Sequence, residues 1–148
     1  MRCYVAKGLL YLASLIEKKA VALERAASDI AVDVARAIVT DLAIKTPVDT
    51  SAALSNWIVT LDAPSSETIS PHVHGSKGST WSASSGRTIG QANFDLLKKK
   101  AGQAIYITNN LDYISDLNSG SSRQEPAGFV ERAVLIGRNV SKRSRKRP

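Results

Sequence analysis

The sequence predicts an α+β fold: a long N-terminal amphipathic helix packed on a small, mainly antiparallel sheet, with a short helix and a C-terminal helix completing it. Three observations lead there. Apolar residues recur every three or four positions from about residue 10 to 44. Two later runs, WIVTL at 57–61 and QAIYITNN at 103–110, alternate as strands do. A second stretch of helical spacing follows Pro126.

The first helix rests on Leu12, Ile16, Ala20, Leu23, Ala27, Ile30, Val34, Ile38 and Leu42, a stripe along one side. Lys18, Glu24, Asp29, Asp33, Arg36 and Asp41 fall mostly off it. Such a helix is about 50 Å long at 1.5 Å per residue. On a small domain it must overhang its own core, break, or pack against another subunit. Pro47 ends it, because the residue before a proline is pushed out of the helical region. Asp49 or Thr50 is placed to cap a short helical turn over SAALSN, residues 51–56.

In the first strand Trp57, Val59 and Leu61 share a face. The next forty residues are rich in Ser, Gly and Thr, and predict a strand at 67–73 and a mobile loop at about 75–90. A short helix over Gln91–Lys100 follows, with Lys98, Lys99 and Lys100 at its C-terminal end. Ile105 and Ile107 then share one strand face, and NNLDYISDLNSGSS reads as turn, brief helix and loop. Pro126 suits a first helical turn, and the last helix is expected to run to about 140 with Phe129, Ala133 and Ile136 on one side. The sheet is expected to hold three or four strands.

With 148 residues, 43% of them hydrophobic, the chain suits a single domain over 1–137. No apolar run approaches the roughly 20 residues of a membrane-spanning helix, so no membrane partner is expected. The N-terminal residues read as mature sequence rather than a signal peptide, since Glu17 and lysines follow the short apolar patch. The lone Cys3 leaves no internal disulfide and fits a reducing compartment. Arg138, Lys142, Arg143, Arg145, Lys146 and Arg147 concentrate charge in a basic tail, 138–148, leaving +1 of the net +7 to the rest. Such a tail is solvated unless it meets an anionic partner, either nucleic acid or an acidic protein surface.

Chemistry-bearing patterns are sparse. His72 and His74 alternate on one face and could reach one metal, but two ligands make no site, and no metal or cofactor is expected. GSKGST at 75–80 lacks the spacing of a phosphate-binding loop. SASSG is no nucleophile elbow. Trp57 reads as core, and Trp81 as a candidate intermolecular contact. No catalytic residue is expected.

Two segments carry a resemblance. TPVDTSAALSNW, residues 46–57, resembles the TPVDTGxLxxxW segment of small tail-completion or neck proteins of tailed bacteriophages. ITNNLDYISDLNSGSSRQEPAGFVERAV, residues 107–134, is similar to that family's later N…YAxxLExGxSxQAPxGMV block. Order, separation and the long upstream helix fit as well. Ser51 stands where the pattern has glycine, Asn118 where it has glutamate, and Glu125 where it has alanine. The resemblance implies two assembly corners, Thr46, Pro47, Asp49, Thr50 and Trp57, and Tyr113, Leu117, Gly120, Gln124, Pro126 and Phe129. It also implies a virion protein, made in the bacterial host cytoplasm, that forms a homo-oligomeric ring at the head–tail junction or upper tail. Its partners would be its own copies, neighbouring connector and tail proteins, and genomic DNA in the channel. A tail terminator is the alternative. A small nucleic-acid-binding protein using the tail and Lys98–Lys100, or a hydrolase using His72 or His74, are the other classes.

Overall fold

The computed structural model describes residues 2–145, the side chains of 2–6 apart. Helix α1 spans Arg2–Lys45, about 66 Å at 1.5 Å per residue. The last bond of its backbone ladder runs from the Thr46 N–H to the Leu42 carbonyl (2.9 Å), and Pro47, without an N–H, cannot continue it. A single turn, α2 (Ala52–Ser55), leads into β1 (Ile58–Leu61), and then α3 (Trp81–Leu96), β2 (Ile105–Thr108), α4 (Ile114–Asn118) and α5 (Phe129–Ser144) follow.

The expected α+β architecture is present, with α1 packed most extensively on α5. The sheet is smaller than expected. It holds two antiparallel strands, paired Ile58↔Thr108 through Leu61↔Ile105, rather than three or four. Val59 points into the core with Trp57, and Ile105 and Ile107 pack against the same cluster, so both strand faces are as the alternation predicted. The core lies between α1 (Ala35, Val39, Leu42), the sheet, α3 (Ala92, Leu96) and α5 (Phe129, Ala133). A second small cluster joins Ala43, Val48 and Leu54.

Four expectations are corrected. First, residues 67–73 form no strand. Their backbone is held by side chains instead: Asn56 Nδ2 donates to the Ile69 carbonyl (2.8 Å), the Ile69 N–H donates to Asn56 Oδ1 (2.8 Å), and the His72 N–H donates to Ser55 Oγ (3.0 Å). Asn110 Nδ2 holds the Ser65 and Glu67 carbonyls in the same way.

Second, most of the expected loop at 75–90 is helix. α3 begins at Trp81 and runs through the Ser/Gly stretch to Leu96, absorbing the short helix expected from Gln91. Its buried face is Ser84, Ser85, Thr88, Ala92 and Leu96. Packing overrides propensity here because small hydroxyl residues allow close approach and satisfy themselves locally. Thr88 Oγ1 donates to the Leu54 carbonyl (3.2 Å), and Ser85 Oγ to the Ser82 carbonyl (3.1 Å).

Third, neither Asp49 nor Thr50 caps α2. Its N-cap is Ser51, with no side-chain cap bond. Asp49 holds the following loop instead, accepting from the Lys77 N–H at Oδ1 (2.8 Å) and from the Gly78 N–H at its carbonyl (2.9 Å). Fourth, α5 starts at Phe129 behind a left-handed Gly128, not at Pro126, and continues to Ser144, so residues 138–144 of the basic segment are helical. Phe129, Ala133 and Gly137 form its buried face, while Ile136 turns outward.

A candidate assembly surface

The two segments picked out in the sequence meet in space. Gln124 grips the backbone of Val48 from both sides: the Val48 N–H donates to Oε1 (2.8 Å) and Nε2 donates to the Val48 carbonyl (2.9 Å). Val48 is buried beside a proline that cannot donate, and the amide supplies both bonds that a neighbouring strand would give. Around this clamp Pro47, Asp49, Thr50, Tyr113 and Leu117 line a cleft of about 140 Å³. Trp57 is not in this cleft but lies in the main core. Its Nε1–H donates to Thr46 Oγ1 (2.7 Å), and Thr46 Oγ1 donates in turn to the Leu42 carbonyl (2.6 Å). That chain ties the end of α1 to the start of β1, with Thr46 and Trp57 both buried. Burial raises the Tyr113 hydroxyl above its ordinary value.

Asn118 fastens the second segment. Its Oδ1 accepts from the Val130 N–H (3.0 Å) and its carbonyl from the Gly128 N–H (2.8 Å), so it serves the open amides at the start of α5 in place of an N-cap side chain. Its Nδ2 reaches both Glu131 oxygens at 3.1 and 3.0 Å, which holds the Glu131 carboxyl below the usual carboxylate range. A glutamate at 118 would set like charge against Glu131. Glu125 pairs with Arg132 within the chain. Gly120 turns the loop at φ +91°, where a Cβ would meet the Ala127 Cβ at 3.1 Å. Pro126 is exposed, and Phe129 is fully buried in the core.

Ser51 has φ +67°, the left-handed conformation that glycine adopts without cost. It is buried, and its hydroxyl shares a hydrogen bond with Thr80 Oγ1 (2.8 Å). Left-handed backbone costs an ordinary residue about 1–2 kcal/mol, and this bond offsets part of that. Ser51→Ala keeps the strain and loses the bond, so a loss of about 1–2 kcal/mol is expected in urea unfolding. Ser51→Gly loses the bond but relieves the backbone, and should lie within about 1 kcal/mol of the parent.

The basic residues split into two sets. Arg138, Lys142 and Arg145, at i, i+4 and i+7, form a ridge along α5 and its cap, with Arg143 on the flank beside α1. Lys146 and Arg147 lie outside the described residues. Among the three lysines after α3, Lys98 pairs with Asp95 (2.8 Å) and sits 4.2 Å over the Phe94 ring, while Lys99 donates to Ser28 Oγ (2.9 Å). Two of the three are engaged internally, which weakens a nucleic-acid patch there.

His72 and His74 do not form a site. Burial, and then the Arg87 charge, lower the His72 value. Arg87 Nη1 donates to the His72 carbonyl (2.9 Å), while His74 is exposed. Among the described residues no three His, Cys, Asp or Glu side chains gather as metal ligands, and no helix is long and apolar enough to cross a membrane. Trp81 is 40% exposed, its Nε1–H donating weakly to the Ile44 carbonyl (3.4 Å).

The largest unpartnered feature is the first half of α1. Up to about residue 26 it projects clear of the body, and Leu9, Leu10, Tyr11, Leu12, Ile16, Val21 and Leu23 are 47–72% exposed. Sequence periodicity identified Leu12, Ile16 and Leu23 among these, but not which half of the stripe the core would cover. Compared with protein-family models, curated proteins and solved structures, the chain matches none.

Proposed function

We propose that this chain is a structural virion protein that forms a ring at the head–tail junction or upper tail of a tailed bacteriophage, completing or joining the tail. The exposed arm of α1 carries the reading. Monomers rarely leave so large an apolar surface in water, and such surfaces mark interaction sites. A protein that works by assembly accounts for it, and an enzyme acting alone does not.

The tail-completion resemblance supports this assembly. Its two segments are 76 residues apart at the Val48–Gln124 clamp, yet they build one corner. That corner fixes the angle at which α1 leaves the sheet, and so would fix the direction in which each copy presents its arm. In this role Thr46, Pro47, Trp57, Gln124 and Phe129 are architectural. The ridge Arg138, Lys142 and Arg145 would face DNA in the channel or an acidic neighbouring ring.

Electron microscopy of purified particles carrying a labelled copy of this chain tests the proposal. Label in a symmetric ring at the junction or upper tail is expected. Particles that assemble fully without the chain would overturn the reading.

A further inference from the structure

The outer side of α5 carries a row of cations with no partner in the chain. Arg138, Lys142 and Arg145 are exposed, on the side of the helix away from buried Phe129, Ala133 and Gly137. Other cations pair locally: Arg36 with Asp33, Lys98 with Asp95 and Arg132 with Glu125. Among the described residues none of the three in the row has such a partner. The sequence holds no acidic residue after Glu131, so α5 offers the row no carboxylate beyond its own first turn. Arg143 does not belong to the row. It lies on the flank toward α1, where Asp33 and Asp41 line the same cleft.

Helix stability does not explain this arrangement. A helix dipole favours cations in the last turn and its effect falls off beyond it, yet Arg138 stands more than a turn before Ser144.

Deepening the ring reading above, on which it rests, we infer that this face of α5 binds the phosphate backbone of duplex DNA without reading its sequence. Its chemistry favours phosphate over an acidic protein. Protein interfaces are depleted of charge at their centres and rely on aromatic and other large anchors. From Arg138 onward the exposed positions of α5 are Arg138, Asn139, Lys142 and Arg143, then the Arg145 cap, and none is apolar. Duplex DNA carries one negative charge per about 1.7 Å of its axis, which offers a phosphate to every cation in a row about 10 Å long. Phosphate contacts fix position but carry no sequence information, and they let DNA slide. A channel that DNA must traverse needs that property.

Fluorescence anisotropy of the full-length chain with labelled duplexes of unrelated sequence tests this contact. The parent should bind them alike, with affinity falling as salt rises. Each phosphate contact adds about 0.9 to the slope of log affinity against log salt, so Arg138→Gln/Lys142→Gln/Arg145→Gln should flatten it by about 2.7. That share of the slope is about a 40-fold loss of parent affinity between about 50 and 200 mM salt. Arg138→Lys/Lys142→Arg/Arg145→Lys keeps the charge and should keep the parental slope. Lys98→Gln/Lys100→Gln removes charge elsewhere and should keep it too. Circular dichroism should match the parent for all three, because every altered side chain is exposed.

A parent chain that leaves the duplex unbound at low salt would overturn the inference. A Gln variant with the parental slope would overturn it as well. So would polyglutamate that binds the row as tightly as the duplex does, which would give this face to an acidic protein. Failure to bind DNA combined with label at the junction sinks only this contact. Salt-dependent binding through the row without label in the particle sinks only the virion role.

Discussion

Trp57→Ala is expected to cost about 3–5 kcal/mol of unfolding free energy, a large share of the roughly 5–15 kcal/mol that holds a small domain together. The indole is 8% exposed and packs in the main core beside Val59 and Leu42. Its removal leaves a cavity where α1, α2 and the sheet meet, a place that cannot collapse without moving the end of α1. Trp57→Phe separates packing from hydrogen bonding. It keeps most of the volume and loses the bond to Thr46. Thr46 still donates to the Leu42 carbonyl, so a loss of only about 1–2 kcal/mol is expected. Urea denaturation followed by far-ultraviolet circular dichroism measures both. Equal losses for the two variants would show that the bond, not the packing, dominates.

The second large effect is expected at Asn56. Its side chain is fully buried and holds Ile69 from both sides, while Nδ2 also donates to the Ala52 carbonyl (2.9 Å). Asn56→Ala leaves the Ile69 N–H and carbonyl without their protein partner, at an expected cost of about 2–4 kcal/mol. The damage should be local before it is global. Amide exchange at Ile69 should accelerate strongly while the amides of β2 stay protected, since β2 bonds to β1 and not to this segment. Uniform acceleration through both would show that the 62–73 segment and the sheet open together.

What could be read in advance divides by the kind of signal. α1, α5 and both strands follow apolar periodicity, and the core uses Leu42, Val59, Ile107 and Phe129 from the faces it named, while on α1 it also takes Ala35 and Val39, which lie beside the named Val34 and Ile38. α3 escaped because its inward face is written in small polar residues. Trp81, Ser84, Ser85, Thr88, Ala92 and Leu96 do recur at helical spacing, so the pattern was present, but a hydrophobic reading does not see serine as inward. The segment at 67–73 has a composition that suits a strand. In the structure side-chain bonds from Asn56 and Ser55 hold it in place of a ladder.

That substitution also hid part of the candidate site. Resemblance singled out Gln124, yet nothing in the sequence says that its amide grips Val48, and Asn56, Asn109 and Asn110 were not distinguished from surface polar residues. Asn109 Nδ2 donates to the Ala53 carbonyl (2.8 Å), a bond across 56 positions that no local pattern encodes. Ser51 is the opposite case. A serine stands where the resembling pattern carries glycine, and the backbone there is left-handed.

The pairing of α1 with α5 bears on how the molecule comes into being on the ribosome. Leu42 and Phe129 belong to one cluster, yet roughly 90 residues separate them, and synthesis at 5–20 residues per second takes on the order of 5–20 s to cover that span. A helix forms within about a microsecond. Thus α1 stands with its inner side wet for many times longer than it takes to coil, waiting for a cover that is translated near the end. The nascent chain is therefore more adhesive than the finished one, and its hazardous period closes only when α5 emerges and docks.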